Sequence, residues 1–264
     1  MTGLKAQRGI QSIEVGGALL VALVDAGAPL PLREIARRAG MSSAKAHPYL
    51  VSFGKLGIVE QDARTGHYTL GPFALALGLQ SLTLRSPVPV AVPLIGELAD
   101  AIDHTVALAV LGSHGPTIVY IRESTRPIHV NMRAGTVMST VNTATGRVFL
   151  AYLPEKIAMH HVARERDDPA VTAQAAGRLT KAELASLVAQ VQEHGLARAV
   201  GQPIPGINAL SAPVFDHTGA IVLAITTLGP SGSFDPDWDG AIARAVRTCA
   251  DDVSRRLGYG VQPG

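Results

Sequence analysis

Residues 32–50 read LREIARRAGMSSAKAHPYL, and this stretch decides the fold of the N-terminal part of the chain. Leu32, Ile35 and Ala36 share one face of a helix, and Gly40 suits the turn that ends it because glycine adopts positive φ without steric cost. Ser42 and Ser43 then provide N-caps for a second helix. Two helices joined by so short a turn are typical of a helix-turn-helix, whose second helix enters the DNA major groove.

The flanking segments extend this unit to residues 1–71. Upstream, apolar residues recur at a spacing that predicts a first helix, namely Ile10, Ile13, Gly17, Leu20, Val21 and Val24. Downstream, IVEQ and HYTL are short strand-like runs, and DARTG is a glycine-containing connection between them. Three helices and a two-stranded hairpin predict a winged helix-turn-helix.

Pro48 interrupts the second helix of this motif. A proline removes one helical hydrogen bond, here to the carbonyl of Ala44, and costs about 3 kcal/mol in a helix interior. With Ser43 as the cap, Pro48 lies early in the helix and on its exposed side, where the first turn already has free amides. We therefore expect the helix to form and to kink or loosen near Ala44.

The remaining chain predicts a helical linker at residues 72–86 and an α+β domain at residues 87–264. Three strands are expected at HTVALAVLG (104–112), GPTIVYIRES (115–124) and PIHVNMRAG (127–135), and a hairpin of two buried strands at residues 206–229. Helices are expected after NTATGR, over 180–194 with a capping box, and over 235–258. This order favours an antiparallel sheet covered by helices.

Composition limits the class of protein. The single cysteine, Cys249, fits a reducing compartment, and we expect it to be packed in the last helix. Apolar runs are too short for a membrane span, and no signal peptide is recognisable. Residues 1–85 carry a net charge of +4 and residues 86–264 a net charge of −2. We therefore expect a soluble cytoplasmic protein, without a membrane partner, in which a basic nucleic-acid reader precedes a larger domain.

The residues of several segments resemble the IclR-type bacterial transcriptional regulators. These segments are LREIARRAGMSSAKAH, LGIVEQDARTGHYTLGP, TATGRVFLAYLP and GINALSAPVFDHTGAIVLAITTLGP, and together they cover nearly the whole chain in order. The resemblance implies a winged-helix domain, a linker helix used in dimerisation, and a GAF-like effector domain. It also implies operator binding as a homodimer or a dimer of dimers, modulated by a small organic or aromatic acid.

Candidate DNA contacts follow from the exposed face of the second helix-turn-helix helix and from the basic residues near it. They are Arg33, Arg38, Ser43, Ala44, Lys45, His47, Ser52, Arg64 and His67. His47 can donate to a base or a phosphate, and Ala44 can contact a thymine methyl group. Each has a plainer alternative: Ser43 as a helix cap, the basic residues as solvated surface, and the wing residues as a polar loop. The family commonly has a basic residue where this chain has Pro48.

Candidate effector contacts come from the loop before VFLAYL and from the strand hairpin. A helix N-terminus carries free amides and partial positive charge, which favours a carboxylate. By position in the family the contacts are Ala144, Thr145, Gly146, Asn208, Ala209, Thr226 and Leu228. The alternative for the loop is that its small residues serve tight packing. Leu228 replaces a frequent hydroxyl residue, and ARAVGQPIPG lacks the usual acid, so we expect a less polar pocket that prefers a partly apolar or aromatic acid.

No catalytic set, metal site or cofactor motif is evident. His160 and His161 are adjacent and cannot act as i,i+4 metal ligands, and TATGR lacks the spacing of a phosphate-binding loop. We therefore expect a regulator that is not an enzyme. Two alternatives stay open: an enzyme acting on a small acid with an attached DNA-binding module, and a DNA-binding scaffold whose effector pocket is filled by side chains.

Overall fold

The computed structural model describes residues 9–84, 86–124, 132–166 and 179–260. Contacts divide the chain between Leu84 and Arg85 into two compact units, the N-terminal unit and the C-terminal unit. Each unit has its own hydrophobic core.

The N-terminal unit contains the helices and the hairpin that the sequence predicts. Its elements are α1 (Gln11–Ala26), α2 (Leu32–Arg38), α3 (Ser43–Lys55), β1 (Val59–Gln61), β2 (Tyr68–Leu70) and α4 (Pro72–Leu84). β1 and β2 pair antiparallel, with Val59 opposite Leu70. Three helices followed by a two-stranded wing confirm the winged helix-turn-helix.

The apolar residues that predict α1 do not coincide with its buried face. The residues buried on α1 are Gly16, Leu19, Ala22 and Leu23, whereas Ile10, Ile13 and Val24 are exposed. Both sets have helical spacing, so periodicity alone could not choose between them. Gly16 explains the choice, because a β-carbon there would lie 3.0 Å from the rings of both Tyr49 and Phe53. The aromatic side chains of α3 therefore pack against the glycine side of α1.

The core face of α3 is largely as expected, with one exception. Ala46 and Leu50 are buried, and Tyr49 and Phe53 are half-buried against the same cluster. Leu56, expected inside, is 60% exposed. It follows the last helical residue as the C-cap, where the helical face no longer determines which way the side chain points.

The C-terminal unit is an α+β domain built on one five-stranded sheet. Its elements are α5 (Pro87–Ile102), β3 (Thr105–Gly112), β4 (Gly115–Arg122), α6 (Ala144–Tyr152), α7 (Glu155–Arg166), α8 (Lys181–His194), β5 (Ala197–Val200), β6 (Ile207–Phe215), β7 (Ile221–Pro230) and α9 (Ala241–Arg256). The strand order is β4-β3-β7-β6-β5, and all neighbours are antiparallel. This confirms the predicted antiparallel sheet with helices.

Helices cover both faces of this sheet, which explains why its strands are almost continuously apolar. On β3, Val106 and Leu108 face the core formed with α5 and α9, and Ala107 and Ala109 face α6. Successive strand residues point to opposite faces, so the larger side chains fill one core and alanines fill the other. The alanine face allows the N-terminal half of α6 to approach the sheet closely.

Two strand predictions differ from the structure. Of the predicted strand 127–135, residues 127–131 lie outside the described part of the chain, and residues 132–135 form no strand. The edge strand β5 was not predicted, although it pairs with β6 through Ala197 opposite Ser211 and Ala199 opposite Ala209. β5 is only 4 residues long, too short for a periodic signal.

Trp238 joins this edge strand to the helices beside it. Its ring stacks on His194 at a centroid distance of 4.2 Å, and the Arg198 guanidinium lies 4.5 Å from the ring centroid. Arg247 donates to the carbonyl oxygens of Trp238 at 2.7 Å and His194 at 2.9 Å. The end of α8, β5 and the segment before α9 are thereby tied together.

Candidate functional site

The N-terminal part of α3 presents the candidate base contacts. Of the two serines expected as caps, Ser42 is the N-cap of α3, and its Oγ accepts a hydrogen bond from the Lys45 amide at 3.3 Å. Ser43 is therefore the first helical residue and is half-buried, while Ala44, Lys45 and His47 are exposed. A capped helix start with small and basic exposed side chains suits insertion into a major groove.

Pro48 lies inside a helix that continues on both sides of it, and the kink or loosening expected near Ala44 stays a prediction. α3 runs from Ser43 to Lys55, and Pro48 is exposed. The Ser52 hydroxyl donates to the Pro48 carbonyl at 2.9 Å. The proton of the Ser52 hydroxyl is thus used within the helix, and only its oxygen remains free to accept a hydrogen bond from another group.

An ion-pair cluster occupies part of the basic surface of α2. The Glu34 carboxylate accepts from Arg37 at 2.8 and 2.6 Å and from the Arg38 Nε at 2.8 Å. Hydrogen bonds from Arg37 and then Arg38 lower the pKa of Glu34 to about 2. Arg38 therefore carries a partly compensated charge, whereas Arg33 forms no ion pair with the residues that the structure describes.

The wing ends in a turn organised by Asp62. Its carboxylate accepts from the backbone amides of Arg64 at 2.7 Å and Thr65 at 2.9 Å, and these bonds, that of Thr65 first, lower its pKa. The turn closes at Gly66, whose φ of +72° favours glycine. The Arg64 side chain is exposed, and His67 is half-buried at the base of the turn.

A cavity of about 60 Å³ lies in the C-terminal unit at the start of α6, and we call it the α6 cavity. It is lined by Met132, Met138, Thr143, Ala144, Thr145, Ala199, Gln202, Pro203, Ile204, Ile207, Ala209, Thr226 and Leu228. Five of the seven predicted effector contacts are in this lining, and Gly146 and Asn208 are not. Most of the lining residues are apolar, and the hydroxyl groups among them belong to Thr143, Thr145 and Thr226.

Three buried hydroxyl groups form a chain at one wall of the α6 cavity. The Thr145 and Thr226 Oγ1 atoms are 2.8 Å apart, and the Ser211 Oγ is 2.9 Å from that of Thr226. Sequence reasoning missed Ser211. The available signal was its spacing from Ala209, because residues two apart on a strand share a face.

Gly146 and Asn208 have structural partners instead. The Gly146 amide donates to the Thr143 Oγ1 at 2.9 Å, and a β-carbon on Gly146 would collide with the Ser139 carbonyl oxygen and lie 2.5 Å from the Thr140 Cα. The Asn208 side chain donates to the Phe234 carbonyl and accepts from the Gly201 amide, both at 3.2 Å. These contacts hold the walls of the α6 cavity in place.

Arg147 connects two of these walls. Its Nε donates to the Val141 carbonyl at 2.8 Å and its Nη1 to the Arg198 carbonyl at 2.7 Å. Burial lowers the pKa of this guanidinium. Arg147 was not among the predicted site residues, because nothing in the sequence indicates which carbonyl groups a buried arginine will meet.

Comparison with known proteins decides the family. Residues 12–63 match the model of the IclR helix-turn-helix domain, and residues 79–255 match that of the bacterial transcriptional regulator IclR C-terminal domain. The chain belongs to the IclR family. It is accordingly a DNA-binding transcription regulator with an N-terminal helix-turn-helix domain.

Relatives in the IclR family match over almost the full chain. The glycerol operon regulatory protein of Streptomyces griseus is 30% identical over 96% of this chain and 98% of its own. The transcriptional repressor IclR of Escherichia coli is 24% identical over 95% and 90%. The crystal structure of Pseudomonas aeruginosa HmgR superposes with a TM-score of 0.84 at 33% identity, covering 96% of this chain and 100% of that one.

These IclR-family relatives are named regulators and repressors, which argues against a primary enzymatic role. Within the described residues, no helix is both long and apolar enough to cross a bilayer. In the same residues, no cluster of three or more histidine, cysteine or acidic side chains is arranged to hold a metal ion.

Proposed function

We propose that this regulator binds operator DNA through residues 1–71 and that a small carboxylic acid in the α6 cavity modulates this binding. Residues 72–86 serve as a linker, and residues 87–264 form the effector-binding and oligomerisation domain. The observation that carries the proposal is that Ala144 and Thr145, in the first turn of α6, line a small cavity within an IclR-type C-terminal domain.

In this proposal α3 reads bases and its surroundings bind phosphates. Ala44 and His47 contact base edges, while Lys45 and Arg33 contact phosphates on either side. Arg64 at the wing tip meets the minor groove or the backbone. Arg38 contributes less than its charge suggests, because it shares Glu34 with Arg37.

Pro48→Arg is expected to strengthen binding to all duplexes and to steepen the slope of log K against log salt by about one unit. The reason is that position 48 is exposed on the same helix as Lys45 and His47, where an arginine side chain can reach a phosphate. Fluorescence anisotropy at several salt concentrations measures the slope. Pro48→Gln is the matched control, because it removes the proline without adding charge. Equal slopes for the two variants would show that position 48 does not face phosphate.

Free donors at the start of α6 favour a carboxylate. The Thr143 side chain caps Gly146, and the amides of Ala144 and Thr145 have no acceptor among the described residues. Free amides at a helix N-terminus attract negative charge through hydrogen bonds and the helix dipole. The Thr145 hydroxyl adds a third donor beside the two amides.

The hydroxyl chain has a preferred direction. Three hydroxyl groups carry three protons, and the two bonds between them use two. Ser211 is fully buried and has no other partner among the described residues, so its proton is best used towards Thr226. Thr226 then donates to Thr145, and the proton of Thr145 is left for the effector. This direction selects an acceptor, such as a carboxylate oxygen, at that wall.

The size of the α6 cavity limits the acid. An engineered cavity of about 150 Å³ binds benzene, whereas the α6 cavity measures about 60 Å³. As it stands, it accommodates a short acid with a small apolar body. An aromatic acid requires Met132 and Met138 to move, which flexible methionine side chains allow at low cost.

Oligomerisation is proposed to involve the linker helix. On α4 the large apolar side chains of Phe73, Leu75 and Leu77 are exposed. Exposed large apolar side chains that lie this close together are typical of a protein interface. We infer a homodimer, or a dimer of dimers, formed in part through α4, and sedimentation of the full chain distinguishes these states.

Two measurements test the function. The protein is first used to select duplexes from a random pool, and a lack of sequence preference at physiological salt would overturn operator binding. The selected duplex is then titrated with protein in the presence of acetate, propionate, pyruvate, benzoate or phenylacetate. At least one acid is expected to shift both the operator affinity and the melting temperature. No shift with any acid favours a filled pocket, and turnover of an acid by the protein favours an enzyme.

A further inference from the structure

A second cavity in the C-terminal unit, of about 370 Å³, lies beside α7, and we call it the α7 cavity. It is formed by the β3–β4 turn, by the segment of residues 137–140 and by one side of α7. Met138 lines both the α6 cavity and the α7 cavity, so this segment separates them. Six of the eight residues that line the α7 cavity are polar or charged, whereas most residues that line the α6 cavity are apolar.

The acidic group of the α7 cavity is already engaged. Both Glu165 carboxylate oxygens accept hydrogen bonds from the segment of residues 137–140, one from the Ser139 hydroxyl and one from the Thr140 amide at 2.6 Å. Glu165 therefore fixes this segment, and both of its carboxylate oxygens are occupied by Ser139 and Thr140. The groups left for a ligand are donors or potential cations: His114, His161 and Arg164.

Among the described residues, Arg164 forms one hydrogen bond through its guanidinium. One Nη1 proton donates to the Ser113 carbonyl at 2.9 Å, which positions the guanidinium beside the β3–β4 turn. A guanidinium has five N–H donors in a planar fork, and it binds oxyanions through pairs of them. Arg164 is thus held at the α7 cavity with donors to spare.

His161 supplies an independent indication of a ligand. Its side chain is among the buried polar groups, at 7% exposure, and it lines the α7 cavity. Its Nδ1 atom is buried and has no hydrogen-bond partner in the described structure. A buried polar atom without a partner is unusual and calls for an explanation such as a bound ion. With its proton on Nδ1, His161 has a buried N–H donor that lacks an acceptor, and an oxyanion in the α7 cavity would supply that acceptor.

We propose that the α7 cavity binds a small oxyanion, a phosphate or a carboxylate, through His114, His161 and Arg164. The electrostatic surroundings agree with this assignment. Burial, and then the proximity of His160 and Arg164, lowers the pKa of His161, so the unoccupied site disfavours added positive charge. An oxyanion offsets this unfavourable field and accepts from the two side chains of α7 together.

Occupation of the α7 cavity also affects the α6 cavity, a consequence that rests on the proposed function. A chain of hydrogen bonds links the two sites: Glu165 holds Ser139, the Ser139 carbonyl accepts from the Thr143 hydroxyl at 2.7 Å, and Thr143 caps Gly146 at 2.9 Å. An oxyanion that attracts Arg164 and His161 shifts α7 and, through Glu165, the wall that contains Thr143. The coupling is reciprocal, so each ligand changes the affinity of the other by the same factor.

The site is tested with inorganic phosphate on the full-length protein. Phosphate is titrated at constant ionic strength, balanced with sodium chloride, and binding is measured by calorimetry and by the rise in melting temperature. Arg164→Gln is expected to weaken phosphate binding by about tenfold or more, because it removes a charge-assisted hydrogen bond. Arg164 is exposed, so this variant is expected to fold. His161→Gln is expected to weaken binding as well.

Matched controls lie on the same helix. His160 is exposed next to His161, and Lys156 is an exposed cation about two helical turns before Arg164. Lys156→Gln is expected to bind phosphate as the unchanged protein does. His160→Gln removes one of the groups that lower the pKa of His161 and is expected to bind phosphate no more weakly than the unchanged protein. Succinate, titrated in the same way, separates a carboxylate ligand from a phosphate ligand. A response no greater than that to chloride for both anions, or equal binding by Arg164→Gln and the unchanged protein, overturns the proposal.

Discussion

Gly146→Ala is expected to lower the free energy of unfolding of the C-terminal unit by about 3 kcal/mol, the upper part of the range for overpacked sites. The added β-carbon would collide with the Ser139 carbonyl oxygen and lie 2.5 Å from the Thr140 Cα. These are backbone atoms, which cannot move aside as the end of a flexible side chain can. The segment before α6 must therefore shift, and the Glu165 and Thr143 contacts that fix it are weakened.

Scanning calorimetry measures this effect as a fall in melting temperature of about 6–12 °C for a domain of this size. Gly96→Ala is the control, because Gly96 lies inside α5 and a β-carbon there meets nothing within 4 Å. Alanine at such a helix position is expected to stabilise by about 0.5–1 kcal/mol. If both variants melted like the unchanged protein, the close approach at Gly146 would not be a real constraint.

Thr226→Val is expected to weaken binding of the proposed effector carboxylate by about 10- to 100-fold, which corresponds to about 1–3 kcal/mol for buried groups left without partners. Valine keeps the shape of threonine but removes the central hydroxyl of the chain. Ser211 then has no acceptor, and the Thr145 hydroxyl is no longer oriented towards the ligand. The loss is measured as the acid concentration needed for a half-maximal change in operator binding.

Thr227→Val separates this effect from a general loss of stability. Thr227 is the next residue on β7, is equally buried, and donates to the Thr105 carbonyl at 3.1 Å. Neighbouring strand residues point to opposite faces, so Thr227 lies away from the α6 cavity. Both variants are expected to lose stability, but only Thr226→Val is expected to lose the response to the acid. A similar response in both would remove Thr226 from the effector site.

The N-terminal unit was predictable because its signals are local. Gly40 marks the end of α2, the serine pair marks the start of α3, and DARTG marks the wing, and none of these depends on distant residues. The sequence left Ser42 and Ser43 as alternative caps, because both serines satisfy the same sequence rule, and the structure has Ser42 as the cap. The apolar spacing of α1 did not reveal which of its faces is buried, since that depends on the rings of Tyr49 and Phe53 from another helix.

In the C-terminal unit, contacts between distant segments limited the prediction. Thr145 and Thr226 lie 81 positions apart and meet at 2.8 Å, and only a family resemblance could join them in advance. Ser211 was missed because it joins this pair from a third segment, β6. Arg147 was missed because its partners are two backbone carbonyl groups, those of Val141 and Arg198. The predicted contacts that line the α6 cavity, Ala144, Thr145, Ala209, Thr226 and Leu228, remain predictions as ligand contacts. So do Gly146 and Asn208, which have structural partners.

The stack around Trp238 gives the regulator an intrinsic optical reporter. Trp238 is the single tryptophan of the chain. Its ring contacts the His194 ring, at the end of α8, and the Arg198 guanidinium, on the edge strand β5. Arg198 also gives its carbonyl to Arg147, and the next residue, Ala199, lines the α6 cavity. A ligand that displaces this strand must change the polarity around one indole ring. The fluorescence emission of Trp238 is therefore expected to report the filling of the α6 cavity without an added label.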